Sequence, residues 1–140
     1  MTTTATAGAA PRKIRTLIVD DQLIQREVLR RMLRSETDIE IIGTLENGRE
    51  AVACINELHP DLVLMDVQMP ELDGFGVVSE IGPARMPPFI LITANDQFAQ
   101  QALDAHALDY LLKPCTRARF QAALHRAREK IHDAPPSAAV

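Results

Sequence analysis

The chain has 140 residues, 46% hydrophobic and 24% charged, which is the size and make-up of one globular domain built on a single core. Nineteen acidic against fifteen basic residues leave a formal charge of −4. That excludes a basic footprint for nucleic acid over the whole surface, so DNA contact would need another domain. No apolar run approaches membrane-span length. The Ala-rich start precedes Arg12 and Lys13 instead of following them, the reverse of a secretory signal, and a cytoplasmic location is expected. Cys54 and Cys115, the two cysteines, lack metal-type spacing and are expected to be reduced thiols.

Residues 1–13, MTTTATAGAAPRK, are small, polar and aperiodic and read as a disordered leader. IRTLIVD at 14–20 has the length of a strand, and Ile24, Val28 and Met32 with Leu29 and Leu33 form a helical stripe after it. The pattern then repeats: IEIIGTL (39–45) is followed by Ala51, Ile55 and Leu58; DLVLMD (61–66) by Phe75, Val78 and Ile81; PFILIT (88–93) by Ala99 and Leu103; ALDYLLK (107–113) by Phe120, Leu124, Ala127 and Ile131. Nearly continuous apolar runs suggest strands covered on both faces, as in a parallel sheet. Five alternations of strand and helix argue for an α/β domain with right-handed crossovers, spanning 14–132. Residues 133–140 read as a linker or tail toward a missing output domain.

In an open α/β sheet, reactive groups gather beyond the carboxyl ends of the strands. Asp20 and Asp21 end the first run, Asp66 the third, Thr93 the fourth and Lys113 the fifth, before Pro114. Carboxylates crowded together raise one another's pKa, and a hard divalent cation resolves the conflict. Mg2+ suits Asp21 and Asp66 as direct ligands, with Asp20 acting directly or through water. A carboxylate can also attack a phosphoryl group to give an aspartyl phosphate, with the Lys113 ammonium and Thr93 hydroxyl answering the charge on its oxygens. Each residue has a plainer reading. The two aspartates could cap a helix, Lys113 could be an exposed charge and Thr93 a β-branched strand residue; their joint placement favours the site. His59, His106, His125 and His132 lack ligand spacing and read as surface residues, while Met65 and Met69 read as packing around the site.

The pair DD after the first strand, MDVQMPELDG around Asp66, ITA at 92–94 and LKP at 112–114 resemble the receiver domain of two-component response regulators, over residues 14 to about 131. The resemblance implies a flavodoxin-like (βα)5 doubly wound parallel sheet in the order 2-1-3-4-5. It implies Asp66 as phosphoacceptor from a sensor histidine kinase, Lys113 as phosphoryl partner, and Thr93 with Tyr110 as a switch pair. It also implies Mg2+ held by Asp21, Asp66 and the backbone carbonyl of Gln68, with Asp20 assisting. Such a domain is not an enzyme in the ordinary sense, since it promotes only its own phosphorylation and dephosphorylation.

Residues 88–114, PFILITANDQFAQQALDAHALDYLLKP, are similar to receivers that precede a LytTR-type DNA-binding domain, which makes an excised receiver of a transcription regulator the expected context. A stand-alone receiver acting by protein contacts is the alternative. A homodimer through helix 4, strand 5 and helix 5 is implied as well, with Asp104 and Asp109 offering acidic partners to Arg117, Arg119, Arg126, Arg128 and Lys130; a solvated helical face is the plainer reading of those cations. Gln22, Gln68 and Cys115 depart from common family residues, leaving outer metal contacts, phosphate lifetime and a thiol open. A Mg2+-dependent phosphatase would want a second acid two residues after its nucleophile, where Gln68 stands. A contact-only pseudo-receiver would not need the intact set Asp20, Asp21, Asp66, Thr93 and Lys113.

Overall fold

The structure, a computed structural model, describes residues 12–133; nearly all of the expected leader and tail, residues 1–11 and 134–140, lies outside them. Five strands form one sheet: β1 (Ile14–Val19), β2 (Ile39–Leu45), β3 (Leu62–Met65), β4 (Phe89–Thr93) and β5 (Asp109–Leu112). All pairings are parallel, in the order β2-β1-β3-β4-β5, which is the expected flavodoxin-like topology. Helices α1 (Leu23–Leu33), α2 (Gly48–Leu58), α3 (Gly74–Ile81), α4 (Ala99–Asp104) and α5 (Arg117–Asp133) connect or follow the strands, and a 3-10 turn, Asp96–Phe98, leads into α4.

Side chains on a strand alternate between faces, and the core divides accordingly. Leu17, Val19, Val63 and Met65 join Ala51, Ile55, Val77 and Ile81 beneath α2 and α3. Ile18, Leu62 and Leu64 join Leu29, Leu33, Phe120 and Leu124 beneath α1 and α5. The central strands β3 and β4 are buried at every position, which is why their sequences are unbroken apolar runs. Edge strand β2 is half-buried nearly throughout, so cover on both faces does not extend to it.

Two helices turn differently from their expected stripes. In α1 the expected Leu29 and Leu33 are buried and Met32 packs half-buried against the same cluster, while Ile24 is 74% and Val28 40% exposed; Val28 lies about 100° around the helix from Leu29. In α4, Ala102 is buried and Leu103 is 70% exposed, with Ala99 exposed as well. The inward pair is Phe98 and Ala102, four residues apart. The stripes of α2, α3 and α5 face the core as expected, with Ala51, Ile55, Val78, Ile81, Phe120, Leu124 and Ala127 buried. Among the described residues, no helix is long and apolar enough to cross a membrane.

Polar ties anchor the loops at the end remote from Asp66. Arg128 on α5 donates to both oxygens of Asp38, at 2.6 and 2.8 Å, and to Glu36 at 2.7 Å, while Gln121 donates to Glu36 at 2.7 Å. The Arg128 bonds hold the Asp38 carboxyl below its usual range; for Glu36 the Gln121 bond is the largest cause of the same shift. Gly48 opens α2 where a Cβ would fall 2.1 Å from the Leu72 carbonyl oxygen, so only glycine lets the β3–α3 loop lie against that helix.

Candidate functional site

Because β1 and β3 are hydrogen-bonded neighbours ending in register at Val19 and Met65, the residues that follow them, Asp20 and Asp66, emerge side by side. The Asp66 amide donates to the Val19 carbonyl at 3.0 Å, continuing the ladder one residue beyond the strand. At the end of β5 the Lys113 amide donates to the Thr93 carbonyl at 2.9 Å, and its side chain crosses back over the sheet edge. The Lys113 Nζ lies 2.7 Å from Asp20 Oδ2 and 2.8 Å from Asp66 Oδ2. The remaining oxygens are used too: Asp20 Oδ1 accepts from the Gln22 amide at 2.9 Å and Asp66 Oδ1 from the Gln68 amide at 3.1 Å.

A carboxylate at the tip of a buried apolar run is tolerated only if paired, and Lys113 is that partner. Side-chain exposures are 2% for Asp20, 10% for Asp66 and 13% for Lys113. Burial is the largest influence on Asp20 and pushes its carboxyl above the usual range, against the opposing pull of Lys113. For Lys113 burial is again the largest single influence and favours the neutral amine. The bonds and charges of Asp20 and Asp66 together outweigh it, so the ammonium titrates above its usual value.

Asp21 is exposed, yet one oxygen from each of Asp20, Asp21 and Asp66 lies within 4.8 Å of the others. Three carboxylate oxygens so close, backed by one ammonium, are a hard-donor set of the kind that suits Mg2+. No histidine or cysteine joins this cluster among the described residues. Gln22 is the residue that opens α1, and its side chain makes no capping bond; the capping alternative for the aspartates reduces to the bond from the Gln22 amide to Asp20. Of the cluster, Asp21 and Asp66 line a cleft of about 610 Å3, together with Gln68, Thr93 and Lys113.

Thr93 is buried, and its hydroxyl accepts from the Asn95 amide at 3.4 Å. Tyr110, opposite Leu91 in the neighbouring strand, is half-buried; its hydroxyl donates to the Asn95 carbonyl and accepts from the Phe98 amide at 3.2 Å. The two expected switch residues therefore meet at Asn95, a position the sequence reading left unmarked. Phe98 in turn packs its ring on Phe75 of α3, centroids 6.0 Å apart.

Asp109 pairs with two of the arginines that the sequence offered it, within its own chain. It is buried at the start of β5 and gripped by its own chain, accepting from Arg119 at 2.6 and 2.9 Å, with Arg126 at 3.8 Å. These bonds tie the start of β5 to α5. Burial, the largest influence, pushes its carboxyl up, but Arg119, the Tyr110 amide and Arg126 together hold it below the usual range. The clue was present in ALDYLL: an acid inside an apolar run, as at Asp66. Asp104 is exposed and accepts from Gln100 at 3.1 Å. Met65 and Met69 are buried in the core, and Cys54 and Cys115 are free thiols.

Residues 16–125 match the response regulator receiver domain family. The chain is 41% identical over 117 residues to the transcriptional regulatory protein BtsR of Salmonella typhi, covering 84% of this chain and 49% of that protein. An uncharacterized response regulatory protein of Shewanella oneidensis is 43% identical over 118 residues, 84% of this chain and 50% of that one. The chain thus spans about half the length of the curated relatives it matches. Among solved structures, the receiver domain of the putative response regulator NarL from Mycobacterium tuberculosis superposes with a TM-score of 0.76 at 32% identity, covering 84% of this chain and 98% of that one. A chain from the CheX–CheY–BeF3–Mg2+ complex of Borrelia burgdorferi gives 0.73 at 28%, covering 81% and 87%. With an acidic cluster and a bridging lysine at the carboxyl edge of a 2-1-3-4-5 parallel sheet, and these relatives, the chain belongs to the response regulator receiver domains of two-component signalling.

Proposed function

We propose that Asp66 is the phosphoacceptor of this receiver and that a sensor histidine kinase is the donor. The carrying observation is the bridge from Lys113 to Asp20 and Asp66, which brings an ammonium to the place where phosphoryl oxygens would gather. An Asp66 carboxylate oxygen attacks phosphorus, the phosphorus–nitrogen bond to the donor histidine breaks, and the imidazole leaves with the electron pair. Lys113, held at the strand end by its backbone bond to Thr93, answers the charge of the transferred group. Asp20, Asp21 and Asp66, with the Gln68 carbonyl, are the residues that would hold Mg2+, which when bound offsets negative charge on phosphoryl oxygens. The similar Borrelia chain comes from a complex that contains BeF3 and Mg2+, which supports that assignment.

Thr93 and Tyr110 act as the switch pair. Both hydroxyls are committed to Asn95, so recruitment of Thr93 to a new phosphoryl oxygen would release the Asn95 amide and shift the population of the β4–α4 turn. The readout surface is the α4–β5–α5 face, where Leu103 and Leu112 are exposed large apolar residues, and a homodimer through it is the expected active form. In the longer protein of which this domain is half the typical length, the output is a DNA-binding domain of LytTR type, and the location is cytoplasmic. The domain catalyses only its own phosphorylation and dephosphorylation.

Incubation with acetyl phosphate and Mg2+, followed by intact-protein mass spectrometry, tests this. One phosphoryl adduct that disappears in Asp66→Asn and without metal is expected. No adduct, together with no beryllofluoride binding by the folded protein, refutes it.

A further inference from the structure

The loop of residues 67–73 carries Gln68 past the acidic cluster. Its start is held by the core, because Val67 and Met69, on either side of Gln68, are buried. Its end is held by the Gly74 amide, which donates to the Val67 carbonyl at 2.7 Å. Between them the backbone turns sharply: Glu71 has φ 70°, and the Leu72 amide donates to the Pro70 carbonyl at 2.7 Å. A left-handed conformation in a residue other than glycine persists only where its surroundings enforce it. Leu72 is the enforcing contact. It packs half-buried on the core, in a seat whose two walls are glycines. A Cβ on Gly48 would fall 2.1 Å from the Leu72 carbonyl oxygen and 2.9 Å from its Cβ; a Cβ on Gly76 would fall 2.4 Å from its Cδ1 and 2.9 Å from its Cγ. Gly48 opens α2 and Gly76 lies in the first turn of α3, so two helices that give no residue to the cluster grip the loop beside it.

Resting on the Mg2+ site proposed above, we infer that Leu72 is a positioning residue for the metal: seated between Gly48 and Gly76, it holds the strained turn and with it the Gln68 carbonyl. The three carboxylates do not need this support. Asp20 and Asp66 leave neighbouring strands in register and are bridged by Lys113, and Asp21 follows Asp20 directly. Gln68 lies beyond the sheet. Its amide is fixed by the bond to Asp66 Oδ1, and the path of the loop decides where its carbonyl points. A ligand that is a backbone atom is adjusted only through backbone conformation, so the affinity of the site for metal passes in part to the side chain that seats the loop.

The test titrates Mg2+ alone into wild type, Leu72→Ala and Gly76→Ala, following the backbone amide shifts of Asp21 and Gln68. Leu72→Ala empties the seat, and Gly76→Ala pushes on its occupant from the α3 side. Val52→Ala, which trims a half-buried residue of α2 packed on the same core, controls for general loosening. Emptying the seat should raise the Mg2+ dissociation constant about tenfold, the low end of what disturbed supports of metal ligands cost. Labelling by acetyl phosphate should then need correspondingly more Mg2+, while the rate at saturating Mg2+ falls less than about threefold. A rise in the dissociation constant in either seat variant, with Val52→Ala unchanged, supports the assignment. Constants within about twofold of wild type in both seat variants, or an equal rise in Val52→Ala, overturn it. A wild type that binds Mg2+ but takes no phosphoryl group removes the phosphoacceptor reading and leaves the role of Leu72 standing; one that binds no Mg2+ removes the role of Leu72.

Discussion

Replacing Lys113 by methionine keeps the length of the side chain and deletes its charge. Asp20 and Asp66, 2% and 10% exposed, then face each other with no cation of the protein's own. Removing one partner of a buried ion pair costs about 3–5 kcal/mol, and the open cleft above the cluster places this case near the lower figure, about 3 kcal/mol. For a domain of this size that is a fall in Tm of about 10 °C. The pH dependence fixes the cause. Asp20 is already held above its usual pKa in the folded protein, and loss of Lys113 removes the bond and charge that oppose burial, leaving only the Gln22 amide to do so. A carboxyl raised in the folded state contributes stability that is fully present below its unfolded pKa, about 3.9, and lost as pH rises through the folded value. The deficit of Lys113→Met is therefore largest at neutral pH and shrinks toward pH 4. Thermal melts of both proteins by circular dichroism in chelator, at pH 7.5 and 4.5, measure it; an equal deficit at both pH values, or none at 7.5, would refute this account.

Arg128→Met should cost about 1–2 kcal/mol at pH 7 through loss of its bonds to Asp38 and Glu36. Those carboxyls are lowered in the folded state, so the stability they confer is present above their unfolded pKa and lost as pH falls through the folded one. Urea denaturation should therefore find the gap between variant and wild type closing below about pH 4. Gly48→Ala should lose at least about 2 kcal/mol by the same assay, since its Cβ meets the Leu72 carbonyl at 2.1 Å; a neutral result would mean that the β3–α3 loop yields freely. Tyr110→Phe removes the acceptor of the Phe98 amide and the donor to the Asn95 carbonyl. Hydrogen exchange at Phe98 should accelerate about fivefold or more, equivalent to about 1 kcal/mol, while amides in β1 keep their protection.

The parallel sheet was legible because β1, β3 and β4 are buried on both faces and therefore carry unbroken apolar runs, a signal that survives without neighbours. The same logic, a polar residue placed where an apolar strand stops, located Asp20, Asp66, Thr93 and Lys113, which the fold does bring to one edge. Helix orientation was less legible. In α1 the apolar stripe is wider than the buried face, and hydrophobicity does not say that Leu29, Leu33 and Met32 pack on the core while Ile24 and Val28 stay exposed. In α4 six residues offer too few turns for a period, and the inward anchor, Phe98, precedes the helix. That Asp109 meets Arg119 and Arg126 within one chain was not legible, because these residues, ten and seventeen further on, become its neighbours only once α5 folds back on β5. Asn95 could not be identified at all: its role is carried by backbone atoms, which every sequence has.

The lysine that neutralises the cluster comes from the far end of the chain, 93 residues after Asp20 and 47 after Asp66. Until β5 docks, the two aspartates brought together by β1 and β3 repel each other with no internal cation between them. Docking of the last strand removes that penalty, so formation of the left and right halves of the sheet is energetically linked. A nascent or proteolytically shortened chain lacking β5 would carry an uncompensated anionic edge, and half-built domains are thereby disfavoured without any interaction dedicated to that purpose.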